Sequence, residues 1–198
     1  VMTNKKIVTL DEMSELAASY RERGLRVVLC HGTFDLMHTG HIRYLQRARK
    51  EGDILLVTIT ADEYVNKGPG RPVFNEQLRA ENLAALECVE LVAINYEVTA
   101  VDALDKIRPS VYAKGSEYRA QENDVTGNIS REQEAVERHG GEIFYTDEIT
   151  FSSSSLLNEY FSIFSPETKR FLEQFRERWS DKDIHQIVES LADMKVLV

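Results

Sequence analysis

The feature that most constrains the fold is an alternation. Five short apolar runs, 26–30, 53–60, 89–95, 110–115 and 141–147, are separated by stretches with helical periodicity. The first two, "RVVLC" and "DILLVTIT", are nearly continuous in apolar character. Strands that read so are buried on both faces, which is the situation in a parallel sheet. The intervening segments 11–23, 41–51, 75–87, 100–107 and 131–139 read as helices. Asp11 is the cap candidate of the first, and Gly24 stands just past its end. Helix 41–51 lines up Ile42, Leu45 and Ala48. Helix 75–87 puts Leu78, Asn82 and Ala85 on one side. A βαβα succession of this kind predicts an α/β fold, a doubly wound parallel sheet with helices on both faces. Ligands of such sheets bind at the carboxyl ends of the strands.

Residues 116–130, "SEYRAQENDVTGNIS", are polar and unpatterned, and read as a long surface loop. Two more helical patterns follow at 165–179 and 180–194, and "KVLV" then reads as a strand. The expected organisation is a domain over 1–162 and a helical extension over 163–198 leading into a truncated second domain. Net charge is -9, from 24 Lys+Arg against 33 Asp+Glu. That balance argues against nucleic-acid binding, which needs a basic face. It leaves room for a small anion held by a few placed cations and helix ends. Cys30 and Cys88 sit in apolar settings and read as free buried thiols of a reducing cytoplasm. No apolar run approaches a membrane span.

The chemistry concentrates at the end of the first strand, in "CHGTFDLMHTGHIRYL". His38 and His41 are three apart and share a helix face. The zinc pattern, with a Glu between helical histidines or a Cys at metal spacing, is missing, so no metal ligands are assigned. Gly32 and Gly40 let a backbone approach a ligand closely, and the helix beginning near Thr39 points free N–H groups at the same spot. With two imidazole donors these make an anion site suited to polyphosphate.

"GTFDLMHTGH" resembles the His-x-Gly-His signature of the cytidylyltransferase-type nucleotidyltransferases. The likeness extends over roughly residues 5–160. Within that family the chain is most similar to the heptose 1-phosphate adenylyltransferase domain of bacterial ADP-heptose synthesis. "KKIVTLDEM", "KGPGRPVFNEQLRAENLAALECVE" and "AKGSEY" support it. The resemblance implies a Rossmann-like nucleotidyltransferase fold. It also implies transfer of a nucleoside monophosphate from ATP or CTP to a sugar phosphate, with pyrophosphate leaving and magnesium carried by the triphosphate. The acceptor phosphate, with a second pKa near 6, is already largely ionised at neutral pH. The task is to align two anions and neutralise charge, rather than to remove a proton.

Residue by residue, the resemblance assigns His38, His41 and Lys67 to catalysis. It places Gly32, Thr33, Phe34, Gly40, Arg71, Lys114, Gly115, Ser152, Ser153 and Ser154 around the nucleotide and its phosphates. Asp35, Arg79 and Tyr118 are weaker candidates for the acceptor; a surface salt bridge is the competing reading of Arg79. It further allows a homodimer and implies fusion to a sugar-kinase-like domain, here with the transferase part first; the cysteine usage, charge and hydropathy above imply a cytoplasmic location and no nucleic-acid or membrane partner. The rival functions are a glycerol-3-phosphate-type cytidylyltransferase acting on a small polyol phosphate, and a catalytically silent nucleotide-binding module.

Overall fold

The computed structural model describes residues 5–68, 70–115, 128–146 and 166–179. Two compact units divide the chain, Val1–Ser154 and Ser155–Val198. In the first, five strands form one sheet: β1 (Val27–Gly32), β2 (Ile54–Thr60), β3 (Leu91–Asn95), β4 (Val111–Lys114) and β5 (Glu142–Tyr145). Their order is β3-β2-β1-β4-β5, and every neighbouring pair is parallel. The expected doubly wound sheet is present. Val27, Val28, Leu29 and Cys30 are all fully buried, which is why the first apolar run shows no alternation.

Five helices cover the two faces: α1 (Leu10–Glu22), α2 (Thr39–Arg49), α3 (Glu76–Ala84), α4 (Val101–Ile107) and α5 (Asn128–Arg138). Val28, Cys30, Leu55, Val57 and Ile59 pack with Leu45, Ala48, Ala80 and Leu83 of α2 and α3. Val27, Leu29, Leu56 and Tyr112 pack with Met13, Ala17, Leu104, Ile107 and Ala135 of α1, α4 and α5. Alternate residues of each strand thus feed separate cores. The winding runs from β1 to β3, then returns to place β4 against the other side of β1. The reversal opens a crevice at the carboxyl ends of β1 and β4. Gly32 ends the first of these strands and Lys114 the second.

Several boundaries differ from the sequence expectation for local reasons. Thr9, not Asp11, caps α1. Its hydroxyl accepts the Glu12 N–H at 3.2 Å, and the Glu12 carboxylate accepts the Thr9 N–H at 2.8 Å. α5 begins at Asn128, inside the stretch read as loop. The buried face of α3 is Arg79, Ala80, Leu83 and Ala84, whereas Leu78 is exposed. Cys30 is buried but Cys88 only half-buried, and both are free. In the second unit α6 (Pro166–Arg178) realises the helix expected at 165–179. The expectations for 180–194 and for "KVLV" lie outside the described residues, as do those for Tyr118, Ser152, Ser153 and Ser154.

Candidate functional site

At the end of β1 the chain bends at a closely packed glycine. A Cβ on Gly32 would stand 3.1 Å from the Phe34 ring. Phe34 itself adopts φ 48°, a left-handed conformation that costs a non-glycine residue about 1–3 kcal/mol. Its buried ring lies edge-on to His41 at 5.5 Å between centroids and stacks with Tyr44 at 6.4 Å. The side chain of Phe34 is therefore an anchor for the bend, and only its backbone is available for the phosphate contact expected of it.

The bend delivers His38 to the start of α2, where it acts as N-cap. Its Nδ1 accepts the Gly40 N–H at 3.0 Å. His41 Nδ1 in turn accepts the His38 N–H at 3.4 Å. The two rings lie against each other, tilted by 32°, at 4.1 Å between centroids. A ring nitrogen that accepts carries no proton, so each neutral imidazole has its hydrogen on Nε2. Burial pushes the His41 pKa down to about 4, and the neighbouring His38 ring and the Lys67 ammonium act in the same direction. At neutral pH it is an uncharged donor. The first turn of α2 contains no acidic residue to offset its positive dipole end.

The loop after β2 brings cations to the same end of the sheet. Arg71 Nε donates to Asp35 Oδ2 at 2.6 Å, and Asp35 Oδ1 accepts the N–H groups of Val73 and Phe74 at 2.8 and 3.0 Å. Burial alone would raise the Asp35 pKa, but these two backbone donors and Arg71 outweigh it and hold the carboxyl below its ordinary value. The Arg71 Nη2 is buried with no hydrogen-bond partner among the described residues. An anion would satisfy it. Lys67, on the exposed part of the loop, has its pKa lowered by desolvation first and by Arg71 second, with Asp35 opposing.

Two expected acceptor contacts are corrected here. Asp35 is 3% exposed and has both oxygens engaged within the protein. Arg79 is wholly buried. Its Nη1 donates to the Thr33 carbonyl at 2.6 Å, its Nη2 to the Thr60 carbonyl at 2.8 Å and to Asp62 at 2.6 Å, and its Nε to the Phe74 carbonyl at 3.0 Å. It ties the ends of β1 and β2 together and presents nothing to an acceptor.

On the other sheet face Lys114 reaches Glu132 of α5 at 2.6 Å, both side chains less than a tenth exposed. The Tyr112 hydroxyl also donates to Glu132, at 3.1 Å. Gly115 follows directly. His31 belongs to this side. Alternation along β1 turns it away from α2, and its ring meets Thr58 Oγ1 at 3.0 Å and Thr60 Oγ1 at 3.4 Å. Burial, and then the Lys114 charge, push its pKa down to about 3. The three clustered histidines of the sequence thus split, two at the start of α2 and one across the sheet. Sequence reasoning missed Glu132. A cavity of about 540 Å³ between the start of α1, the end of β3 and α4 is lined by Thr9, Asp11, Asn95 and Lys106, and does not include the histidines. Among the described residues no three His, Cys, Asp or Glu side chains stand together as a metal cluster, and no helix is long and apolar enough to cross a membrane.

Comparison with known proteins shows the family of the chain. The family model described as cytidylyltransferase-like matches residues 29–160. The bifunctional protein HldE of Methylobacillus flagellatus is 40% identical over 152 residues, covering 76% of this chain and 30% of that protein. Its counterpart from Syntrophotalea carbinolica is 35% identical over 158 residues, covering 79% and 31%. The chain thus spans about 30% of the length of these relatives. Among solved structures, the lipopolysaccharide core biosynthesis protein from Thermoplasma volcanium superposes with a TM-score of 0.54 at 23% identity, over 64% of this chain and 100% of that one. A pantoate-beta-alanine ligase from Francisella tularensis, solved with beta-gamma ATP and beta-alanine, gives 0.55 at 13% identity, over 88% and 80%. These two likenesses bear on the fold alone.

Proposed function

The chain belongs to the cytidylyltransferase-like family, and on that premise we propose that it is a nucleotidyltransferase, moving the nucleoside monophosphate of ATP or CTP to a heptose 1-phosphate-like sugar phosphate and releasing pyrophosphate. The observation that carries the reading is the paired imidazole cap of α2. Both Nδ1 atoms accept backbone N–H groups, so both rings offer Nε2–H donors beside a helix N-terminus. Such donors are fixed before substrate arrives and cost no reorganisation when charge develops on the α-phosphate. His38 and His41 stabilise the transferring phosphoryl group. Lys67 and the open Nη2 of Arg71 neutralise the phosphate chain and the leaving pyrophosphate. Thr33, Gly32 and Gly40 line the close approach. Lys114, Gly115 and the serines 152–154 complete the nucleotide's surroundings on the strength of the family resemblance.

The acceptor's ionised phosphate oxygen attacks the α-phosphorus in line. A P–O bond forms to the acceptor and the bond to the β-phosphate breaks, with the electron pair leaving on pyrophosphate. Magnesium rides on the triphosphate. Asp35, the carboxylate of the bend between β1 and α2, is committed to Arg71 and two backbone donors, and this donor set fits an ion brought by the substrate rather than one caged by the chain. In the same reading the protein works in the cytoplasm, residues 163–198 connect the transferase domain of residues 1–162 to a sugar-kinase-like domain, and two copies pair. The relatives, which are bifunctional and about three times as long, support the fusion. The test is pyrophosphate release from ATP and from CTP against a panel of acceptor phosphates. Release with a heptose 1-phosphate and not with glycerol 3-phosphate supports the reading; the reverse preference refutes it.

A further inference from the structure

A lysine at the last position of a parallel strand faces a difficulty. The flanking positions are apolar and desolvated, and an isolated ammonium there is expensive. Lys114 meets it with a carboxylate from the next helix. Glu132, one turn into α5, lies 2.6 Å from its Nζ, and both side chains are under a tenth exposed. Glu132 is fixed from a second side by the Tyr112 hydroxyl at 3.1 Å, and the Lys114 ammonium sits over the Tyr112 ring at 4.9 Å from its centroid. The strand end is also pinned through its backbone, where the Lys114 carbonyl accepts the Thr146 N–H at 2.9 Å.

The pair stands at the switch point of the sheet, beside the crevice that β1 and β4 open between them. Its electrostatic character differs from that of the histidine side. There, among the described residues whose charges act on Lys67, Asp35 is the one anion, against Arg71 and the Asp62-paired Arg79. Here, among the described residues, the Lys114 cation meets the Glu132 anion, and His31, whose ring sits between two threonine hydroxyls, is uncharged at neutral pH. The Lys114 ammonium is thereby held in one place, on the side of the crevice away from His38 and His41.

We propose that Glu132 is a positioning residue for nucleotide binding: it holds the Lys114 ammonium at the carboxyl end of β4 through a buried ion pair braced by Tyr112. The proposal rests on the nucleotidyl-transfer reading given above. Glu132 touches no reacting atom and acts through Lys114. Its removal weakens nucleotide binding more than it slows the chemical step.

The experiment compares wild type, Glu132→Gln, and the double variant Lys114→Met with Glu132→Leu. Each is assayed for kcat, for nucleotide and acceptor KM, for direct binding of magnesium–ATP and magnesium–CTP by calorimetry, and for thermal midpoint. Glu132→Gln should raise nucleotide KM and Kd by about tenfold, the lower end for a charge-assisted hydrogen bond lost. Its kcat and acceptor KM should stay within about threefold. The double variant replaces the pair by apolar side chains of similar volume, a change that often restores or raises stability. It should melt at or above the midpoint of Glu132→Gln yet keep the weakened nucleotide binding. If the double variant regained wild-type nucleotide affinity along with its stability, Glu132 would be a fold element only and the proposal would be overturned. It would equally be overturned if Glu132→Gln bound nucleotide as wild type does. Wild type that bound neither nucleotide would instead bring down the nucleotidyl-transfer reading itself, and this inference with it.

Discussion

Replacing Arg79 by Met separates two roles for the same residue. A guanidinium that reaches the acceptor would be dispensable for folding. The observed one is wholly buried and donates to the carbonyls of Thr33, Thr60 and Phe74 and to Asp62. Met fills similar space without a donor. Three backbone carbonyls then lose their partner, each at about 1–3 kcal/mol when it stays dry. Asp62 is 38% exposed and rehydrates, so its loss adds little. Relief of the arginine's own desolvation offsets part of the sum. Taking the low end for each carbonyl gives a net destabilisation of about 3 kcal/mol, measured as the shift in urea midpoint times the slope. Because Thr33 and Thr60 end the strands that aim the histidine bend, kcat should fall with acceptor KM moving less. Arg79→Lys should fall between, since an ammonium cannot reproduce the fork. Stability unchanged within about 0.5 kcal/mol, the range of an ordinary surface substitution, together with a large rise in acceptor KM, would refute the positioning role.

His38→Asn keeps a capping side chain at the start of α2 and should hold stability near wild type, whereas His38→Ala should lose about 1 kcal/mol; both should lower kcat by roughly two to three powers of ten, as loss of one preorganised donor does, and paired melting and turnover measurements check this. The folded pKa values of His41 and His31, about 4 and about 3, lie below the unfolded value near 6.5. The unfolded chain therefore binds more protons between those limits. The contribution is whole above pH 6.5 and is lost as pH falls toward 4, to the extent of roughly 3 kcal/mol for His41. In denaturation curves across that window His31→Asn should lose stability less steeply with acid than wild type; equal slopes would contradict the burial assigned to His31.

The sheet was legible because burial on both faces leaves uninterrupted apolar runs, and the histidine bend because its glycines and imidazoles sit where a strand gives way to a helix. Buried charges were not legible. Arg79 stands in "NEQLRAENLAALE", where hydropathy marks Leu78 as the inward residue, yet the helix turns Arg79 to the core to satisfy strand-end carbonyls. Glu132 hides in "REQEAVERH", a helical segment in which nothing sets one glutamate apart from the others. Its signal was indirect: a lysine ending an otherwise apolar strand requires a counter-charge. The α1 cap could have been found, since Thr9 and Glu12 have capping-box spacing. Alternation along β1, applied to His31, would likewise have separated it from His38 and His41.

The central claim is that His38 and His41 present Nε2–H donors to the phosphate chain of a nucleotide. Imidazole nitrogen NMR reads this directly, on protein labelled at histidine, before and after addition of a non-hydrolysable magnesium-bound ATP or CTP analogue. Both rings should start as neutral Nε2–H tautomers, and their Nε2 resonances should shift on binding while His31 stays fixed. Nδ1–H tautomers in the free protein, or His38 and His41 resonances unmoved by bound nucleotide, would contradict it.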